Sequence, residues 1–118
     1  MVLVDTSVWV DHLRRDSARL RELLYADRVL THPFVVGEIA CGALQNRSRV
    51  LRYLGSLPEA RLAGHDEVLR LIEDRSLYGQ GIGWVDAHLL ASALLSGCSL
   101  WTLDKRLILV ASSLGIAA

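Results

Sequence analysis

Three short aliphatic runs punctuate this chain, and each is followed by a stretch of helical length. Val2-Leu3-Val4, Val29-Leu30-Thr31 and Ser99 to Leu103 have the size and composition of buried strands. Strands separated by helices cannot pair through tight hairpins. They pair in parallel, with each helix crossing over a face of the sheet. The pattern therefore predicts an α/β fold with a central parallel sheet flanked by helices. In such a sheet the loops leaving the carboxyl ends of the strands converge on one rim, and active sites form there. At 118 residues the chain has room for one core, and it carries no repeat, linker or low-complexity tract, so a single domain spans 1–118.

The helices can be placed from their caps and apolar spacing. Thr6 or Ser7 caps a first helix running to about Arg14. Asp16 or Ser17 caps a second, whose Leu20, Leu23 and Leu24 share a face. Pro33 fits the first turn of a helix reaching about Leu44. Asn46 to Leu54 follows, closed by Gly55 and Pro58, and Glu59 to Ala63 reads as a weak strand. Asp66 to Leu77 is amphipathic, with Val68, Leu69, Leu71 and Ile72 in its apolar face. The glycine-rich Gly79 to Gly83 loop leads into an apolar helix, Trp84 to Ser96, and Lys105 to Leu114 is the last helix.

Four acids stand out from this pattern: Asp5, Glu38, Asp86 and Asp104. Each lies in an apolar run, whereas most of the other nine occupy solvated stretches. Burying a carboxylate costs several kcal/mol unless it is paired or metal-bound, so the four are expected to be buried around a cation. Asp5 and Asp104 end strands, Asp86 falls in a first helical turn, and Glu38 lies early in the helix after the second strand. Topology alone can bring all four to one rim. Taken singly, Asp5 and Asp104 could be helix caps and Asp86 could complement a helix dipole. Glu38 has no such local role. Hard oxygen donors of this kind suit Mg²⁺ or Mn²⁺, which can activate water and stabilise the leaving oxygen of a phosphodiester.

Composition narrows the alternatives. Apolar residues make up 52%, more than so small a chain can hide, which predicts an exposed apolar patch and a protein partner. No apolar run is long enough to span a membrane, and Trp84 to Leu95 is interrupted by Asp86 and His88. With strand residues starting at Val2 there is no secretory leader, so a cytoplasmic protein is expected. Cys41 and Cys98 are expected as two reduced, buried thiols with no zinc spacing around them. His12, His32, His65 and His88 are scattered and read as surface or core residues. The glycine loop lacks the spacing of a phosphate or dinucleotide loop. Trp9, Trp84 and Trp101 lie near the acids, where core packing is expected of all three over base stacking. Net charge is zero, yet twelve of the thirteen basic residues are Arg. Arg14, Arg15, Arg47, Arg49 and Arg52 are candidates to grip the phosphates of a polyanion beside the acids.

Four motifs then carry a family resemblance: Val4-Asp5-Thr6-Ser7, Pro33-Phe34-Val35-Val36-Gly37-Glu38, Trp84-Val85-Asp86-Ala87 and Leu100-Trp101-Thr102-Leu103-Asp104. In this order they resemble the PIN-domain ribonucleases, and more narrowly the VapC toxins of bacterial type II toxin–antitoxin pairs, over essentially the whole chain. The resemblance implies a PIN-like fold and a Mg²⁺- or Mn²⁺-dependent endoribonuclease. It further implies a homodimer and inhibition by a cognate VapB antitoxin. By motif match Asp5 and Asp86 are the metal ligands, Glu38 and Asp104 complete the catalytic set, and Thr6 positions water or phosphate. Structured RNAs such as tRNA are the substrates the resemblance suggests. Two rivals remain in view. A non-catalytic PIN-like module would hold RNA or protein without cutting. A phospho-receiver domain would need an acidic pair and a strand-terminal Lys, which this chain lacks.

Overall fold

The computed structural model describes residues 1–118 and bears out the α/β reading. Strands β1 (Val2–Val4), β2 (Val29–Leu30) and β3 (Ser99–Trp101) form a parallel sheet of order β2-β1-β3. Val2 pairs with both Val29 and Ser99, and Leu3 with Leu30 and Leu100. Seven helices surround it: α1 (Thr6–Arg15), α2 (Ala18–Tyr25), α3 (Pro33–Ala40), α4 (Arg47–Ser56), α5 (His65–Asp74), α6 (Trp84–Ser96) and α7 (Lys105–Ser113). None is long and apolar enough to cross a membrane.

Because β1 is central, the residue that follows it leaves the middle of the carboxyl rim. That residue is Asp5. Its neighbour across the rim is the turn after β3, and the Asp5 amide donates to the Trp101 carbonyl at 2.9 Å. The expected strand at Glu59 to Ala63 shrinks to one parallel bridge, Thr31 to Glu59, with the Ala60 amide donating to Thr31. Few residues are available there to extend the edge, since Pro58 offers no amide hydrogen.

The core runs from Leu3 and Val4 through Leu89 and Leu90 to Leu100 and Leu107, all wholly buried. Helix α6 supplies seven consecutive buried residues, Ala87 to Ala93, so it packs on more than one side, as an all-round apolar helix must. Gly97 ends it in the left-handed conformation at φ 62°, which glycine adopts without steric cost.

Several helix boundaries move from their expected places, and α5 ends at Asp74 instead of Leu77. Helix α3 stops at Ala40 instead of Leu44. The Arg47 guanidinium donates to the carbonyls of Ala40 and Gly42, satisfying groups that a continuing helix would have used. Helix α4 runs through Gly55, which lies in open space, and ends at Ser56. The stop belongs to Leu57, pushed to an extended ψ of 150° by the following Pro58. Helix α1 begins at Thr6 with Asp5 in the N-cap position, and Ser17 caps α2 by accepting from the Leu20 amide.

Candidate active site

The four acids reach one rim by different devices. Asp5 occupies an N-cap position, yet its side chain makes no capping bond to α1. Its Oδ2 instead accepts from the hydroxyls of Ser7 and Thr102, each at 2.8 Å. Those hydroxyls are themselves held by backbone: the Leu103 amide donates to Ser7 Oγ at 3.0 Å and the Asp104 amide to Thr102 Oγ1 at 3.1 Å. Two amides therefore fix two hydroxyls, which fix one carboxylate oxygen. All of Asp5's side-chain hydrogen bonds land on Oδ2, and Oδ1 takes none.

Asp86 is the third residue of α6. Its Oδ2 accepts from the Gly83 amide at 3.0 Å, closing the helix start. Burial pushes its pKa above the ordinary carboxylate value, and repulsion from Asp5 and Asp104 pushes the same way, against the Gly83 hydrogen bond. That repulsion places three carboxylates in one local field. Asp104 is exposed and caps α7 through Oδ1, which accepts from the amides of Arg106 and Leu107 at 2.9 and 3.1 Å. Glu38, also exposed, is tied to the first motif by Thr6, whose hydroxyl donates to Glu38 Oε1 at 2.7 Å.

The expectation that all four acids are buried is corrected by these positions. Only Asp5 is buried, at 7% exposure, with Asp86 half-buried. Apolar neighbours in sequence do not bury a helical residue whose own face looks outward, which is the case for Glu38. Asp104 stays exposed at the start of α7, whereas Asp5, also an N-cap, is covered where Ser7 and Thr102 close over it. Cys98 is buried with its thiol pKa raised by that burial, but Cys41, at the end of α3, is exposed, and both are free.

No three His, Cys, Asp or Glu side chains converge closely enough to share a metal ion in this arrangement. The donor chemistry nonetheless fits Mg²⁺ or Mn²⁺. Asp5 and Asp86 each anchor one oxygen and leave the other without a hydrogen bond, and such ions take one or two carboxylates and complete their shell with water. Mutual repulsion of unneutralised carboxylates also favours wider spacing.

Ser7 and Thr102 stand in the sequence motifs but were not expected as site residues. The one signal for them was a hydroxyl residue two positions from an acid, which has no meaning until β1 and β3 pair. The arginines divide. Arg14 lines a cavity of about 670 Å³ between α1, α3 and α4, together with Leu13, Glu38, Ile39 and Val50. Arg15 pairs with Asp11 at 2.9 Å, and Arg47 is engaged with the end of α3. Arg49 and Arg52 are exposed on α4. Arg106 lies over the glycine loop, where a Cβ on Gly81 would come within 2.6 Å of its Cδ. Gly81 has φ +80°, which favours glycine, whereas the Arg106 contact involves a flexible exposed side chain that can move aside.

Comparison with known proteins gives this rim a family. The PIN domain model matches residues 2–112, and the chain belongs to that family. Ribonuclease VapC32 of Mycobacterium tuberculosis, from strain CDC 1551 / Oshkosh and from strain ATCC 25618 / H37Rv, is 50% identical over 118 residues. The match covers 99% of this chain and 95% of each relative. Within the PIN-domain family, the chain belongs with the VapC ribonuclease toxins.

Proposed function

We propose that the rim of Asp5, Glu38, Asp86 and Asp104 performs metal-dependent hydrolysis of RNA phosphodiester bonds, as the toxic activity of a toxin–antitoxin pair. The observation that carries the reading is geometric: Asp5 and Asp86 each anchor one carboxylate oxygen and leave the other without a hydrogen bond, while burial and repulsion from Asp5 and Asp104 raise the Asp86 pKa. A cluster in that state gains from any cation that enters it. Mg²⁺ or Mn²⁺ held by Asp5 and Asp86 would acidify a water and offset charge on the leaving oxygen. The protein's own part is orientation. Ser7 and Thr102 hold the Asp5 carboxylate in one pose. Thr6 aims Glu38 through one oxygen, leaving the other to accept from the attacking water. Asp104, fixed by its cap bonds, closes the opposite side of the rim. Arg14, Arg15, Arg47, Arg49 and Arg52 are proposed as the basic border that offsets repulsion between these acids and RNA, with Arg14 nearest through the cavity it shares with Glu38.

A VapB-type antitoxin is the proposed inhibitor. The α1–α3–α4 cavity has a mixed lining, with Val10, Leu13, Ile39 and Val50 beside Arg14, Gln45 and Asn46, and includes Glu38, so a docked antitoxin segment could place a cation among the acids and exclude metal. A structured cytoplasmic RNA such as tRNA is the proposed substrate, and a homodimer the proposed assembly. The test is cleavage of a tRNA pool with and without Mg²⁺. Asp5→Asn and Asp86→Asn should each abolish it while leaving the circular dichroism spectrum unchanged. Near-full metal-dependent activity in either variant would remove these residues from the site. The same experiment separates this reading from a non-catalytic module that holds RNA without cutting it.

A further inference from the structure

Beside the acids, the fold gathers rings that are scattered in sequence. Phe34 and Trp84 both abut His88, at centroid distances of 4.8 and 4.6 Å. His32 lies behind them, 5.1 Å from Phe34 and 6.4 Å from His88, and His65 flanks Trp84 at 5.1 Å. The three tryptophans, expected alike as core, separate here. Trp9 is sealed at 2% exposure and Trp101 lies under the Arg19 guanidinium, 4.2 Å from its ring. Trp84 is 38% exposed and Phe34 is 39% exposed, whereas the two imidazoles between and behind them are nearly buried, His88 at 7% and His32 at 3%.

Three of the four ring nitrogens of those imidazoles have no protein partner. His32 Nδ1 accepts from the Phe34 amide at 3.0 Å, so in the neutral ring the proton resides on Nε2. Burial, reinforced by His88, lowers the His32 pKa to about 4, which keeps that ring neutral near pH 7 and gives it no charge to offer a phosphate. His32 Nε2 and both ring nitrogens of His88 have no protein hydrogen-bond partner, and none is closed off from solvent. Nitrogens that reach solvent without a protein partner are free to meet a ligand's polar edge. Two nearly buried imidazoles therefore present free nitrogens among exposed ring faces, the combination a flat heteroaromatic ligand needs.

The location gives them an occupant. Phe34 precedes Glu38 by four residues on α3, so the two share a helix face, and Trp84 precedes Asp86 by two residues on α6. We propose that Phe34, Trp84, His88 and His32 form a nucleobase subsite, in which an unstacked base beside the scissile phosphate packs on the exposed rings and meets the imidazole nitrogens with its edge. This rests on the RNA-cleaving reading above. Single-stranded RNA is commonly recognised in this way, by stacking on aromatic side chains together with hydrogen bonds to base edges. An apolar protein segment would cover the rings but leave the imidazole nitrogens unpaired.

The test uses fluorescein-labelled octaadenylate, with Ca²⁺ in place of Mg²⁺ to prevent cutting, against an octamer of equal charge whose four central positions are abasic. Wild-type protein should bind octaadenylate roughly 10-fold or more tightly than the abasic octamer. Unlabelled octaadenylate should quench tryptophan emission. Phe34→Leu and Trp84→Leu should each erase most of that difference, and Trp84→Leu should erase the quenching. Equal wild-type affinity for the two octamers overturns the subsite without recourse to any variant. So do variants that keep RNA affinity but no longer copurify with the antitoxin, which would assign the rings to the protein partner. Cleavage of a tRNA pool in Mg²⁺, run alongside, separates the failures. A protein that cuts but ignores the bases loses only the subsite, and one that neither cuts nor binds loses both readings.

Discussion

Replacing Thr102 by valine tests the network that holds Asp5. The two side chains are nearly isosteric, so the change removes a hydroxyl and little volume. Thr102 is buried, and its Oγ1 donates to Asp5 Oδ2 at 2.8 Å while accepting from the Asp104 amide at 3.1 Å. A hydrogen bond to a charged group contributes about 1.5–3 kcal/mol, and an orphaned amide adds about 1 kcal/mol. Part of this is offset by the greater apolarity of valine, leaving an expected loss of about 2–3 kcal/mol. The change should appear in urea unfolding as a lower midpoint with an unaltered slope. Thr102→Ser keeps the hydroxyl and loses only a methyl, so it should cost about 1 kcal/mol. The same network orients a catalytic carboxylate and the turn bearing Asp104. Metal-dependent cleavage should therefore fall roughly 10-fold or more in Thr102→Val and change little in Thr102→Ser. If the valine variant is as stable and as active as the serine variant, the hydroxyl is not what holds Asp5.

Other outcomes follow from the same structure. With three carboxylates repelling one another, Mg²⁺ should raise the melting temperature of the wild type, and Asp86→Asn should melt no lower than wild type in EDTA; a metal-independent melt would contradict the proposed ion site. His32 binds a proton less readily when folded, with a pKa of about 4 against 6.5, so its contribution is fully present above pH 6.5 and is lost as pH falls toward 4. Between about pH 6.5 and 5 this amounts to at most about 2 kcal/mol of stability, and His32→Asn, which can keep the cap on Phe34, should flatten that slope in urea titrations. Equilibrium sedimentation at micromolar concentration should give twice the mass of one chain, since Tyr25, Leu109 and other large apolar side chains are exposed, and a monomer would refute the dimer. Arg49→Glu with Arg52→Glu should weaken RNA binding and lower the salt-dependence slope by roughly 0.7 for each phosphate no longer neutralised. Arg47 is left out of that test because it also closes α3.

The alternation of strand and helix, and the placing of Asp5 and Asp104 at strand ends, could be read from the chain because they rest on local periodicity. Trp84 to Ser96 was legible to the residue, since an apolar run entered by Gly83 and ended by Gly97 carries its own boundaries. The four motifs likewise identified the family without coordinates. Burial was not legible. Asp5, Glu38 and Asp104 have similar apolar neighbours in sequence, yet one is buried and two are exposed, because the facing of a side chain depends on what packs against it. The same holds for Cys41, expected inside and found outside. Helix α3 ended early because an arginine beyond its end captured its carbonyls. Ser7 and Thr102, 95 residues apart, acquire a role only when β1 and β3 pair in register. The rings of His32, Phe34, Trp84 and His88 likewise come together only when the start of α3 meets the first turns of α6. Local signals specify which elements form, but a site is made of contacts between elements distant in sequence, and those exist only after the sheet and its helices have closed on one another.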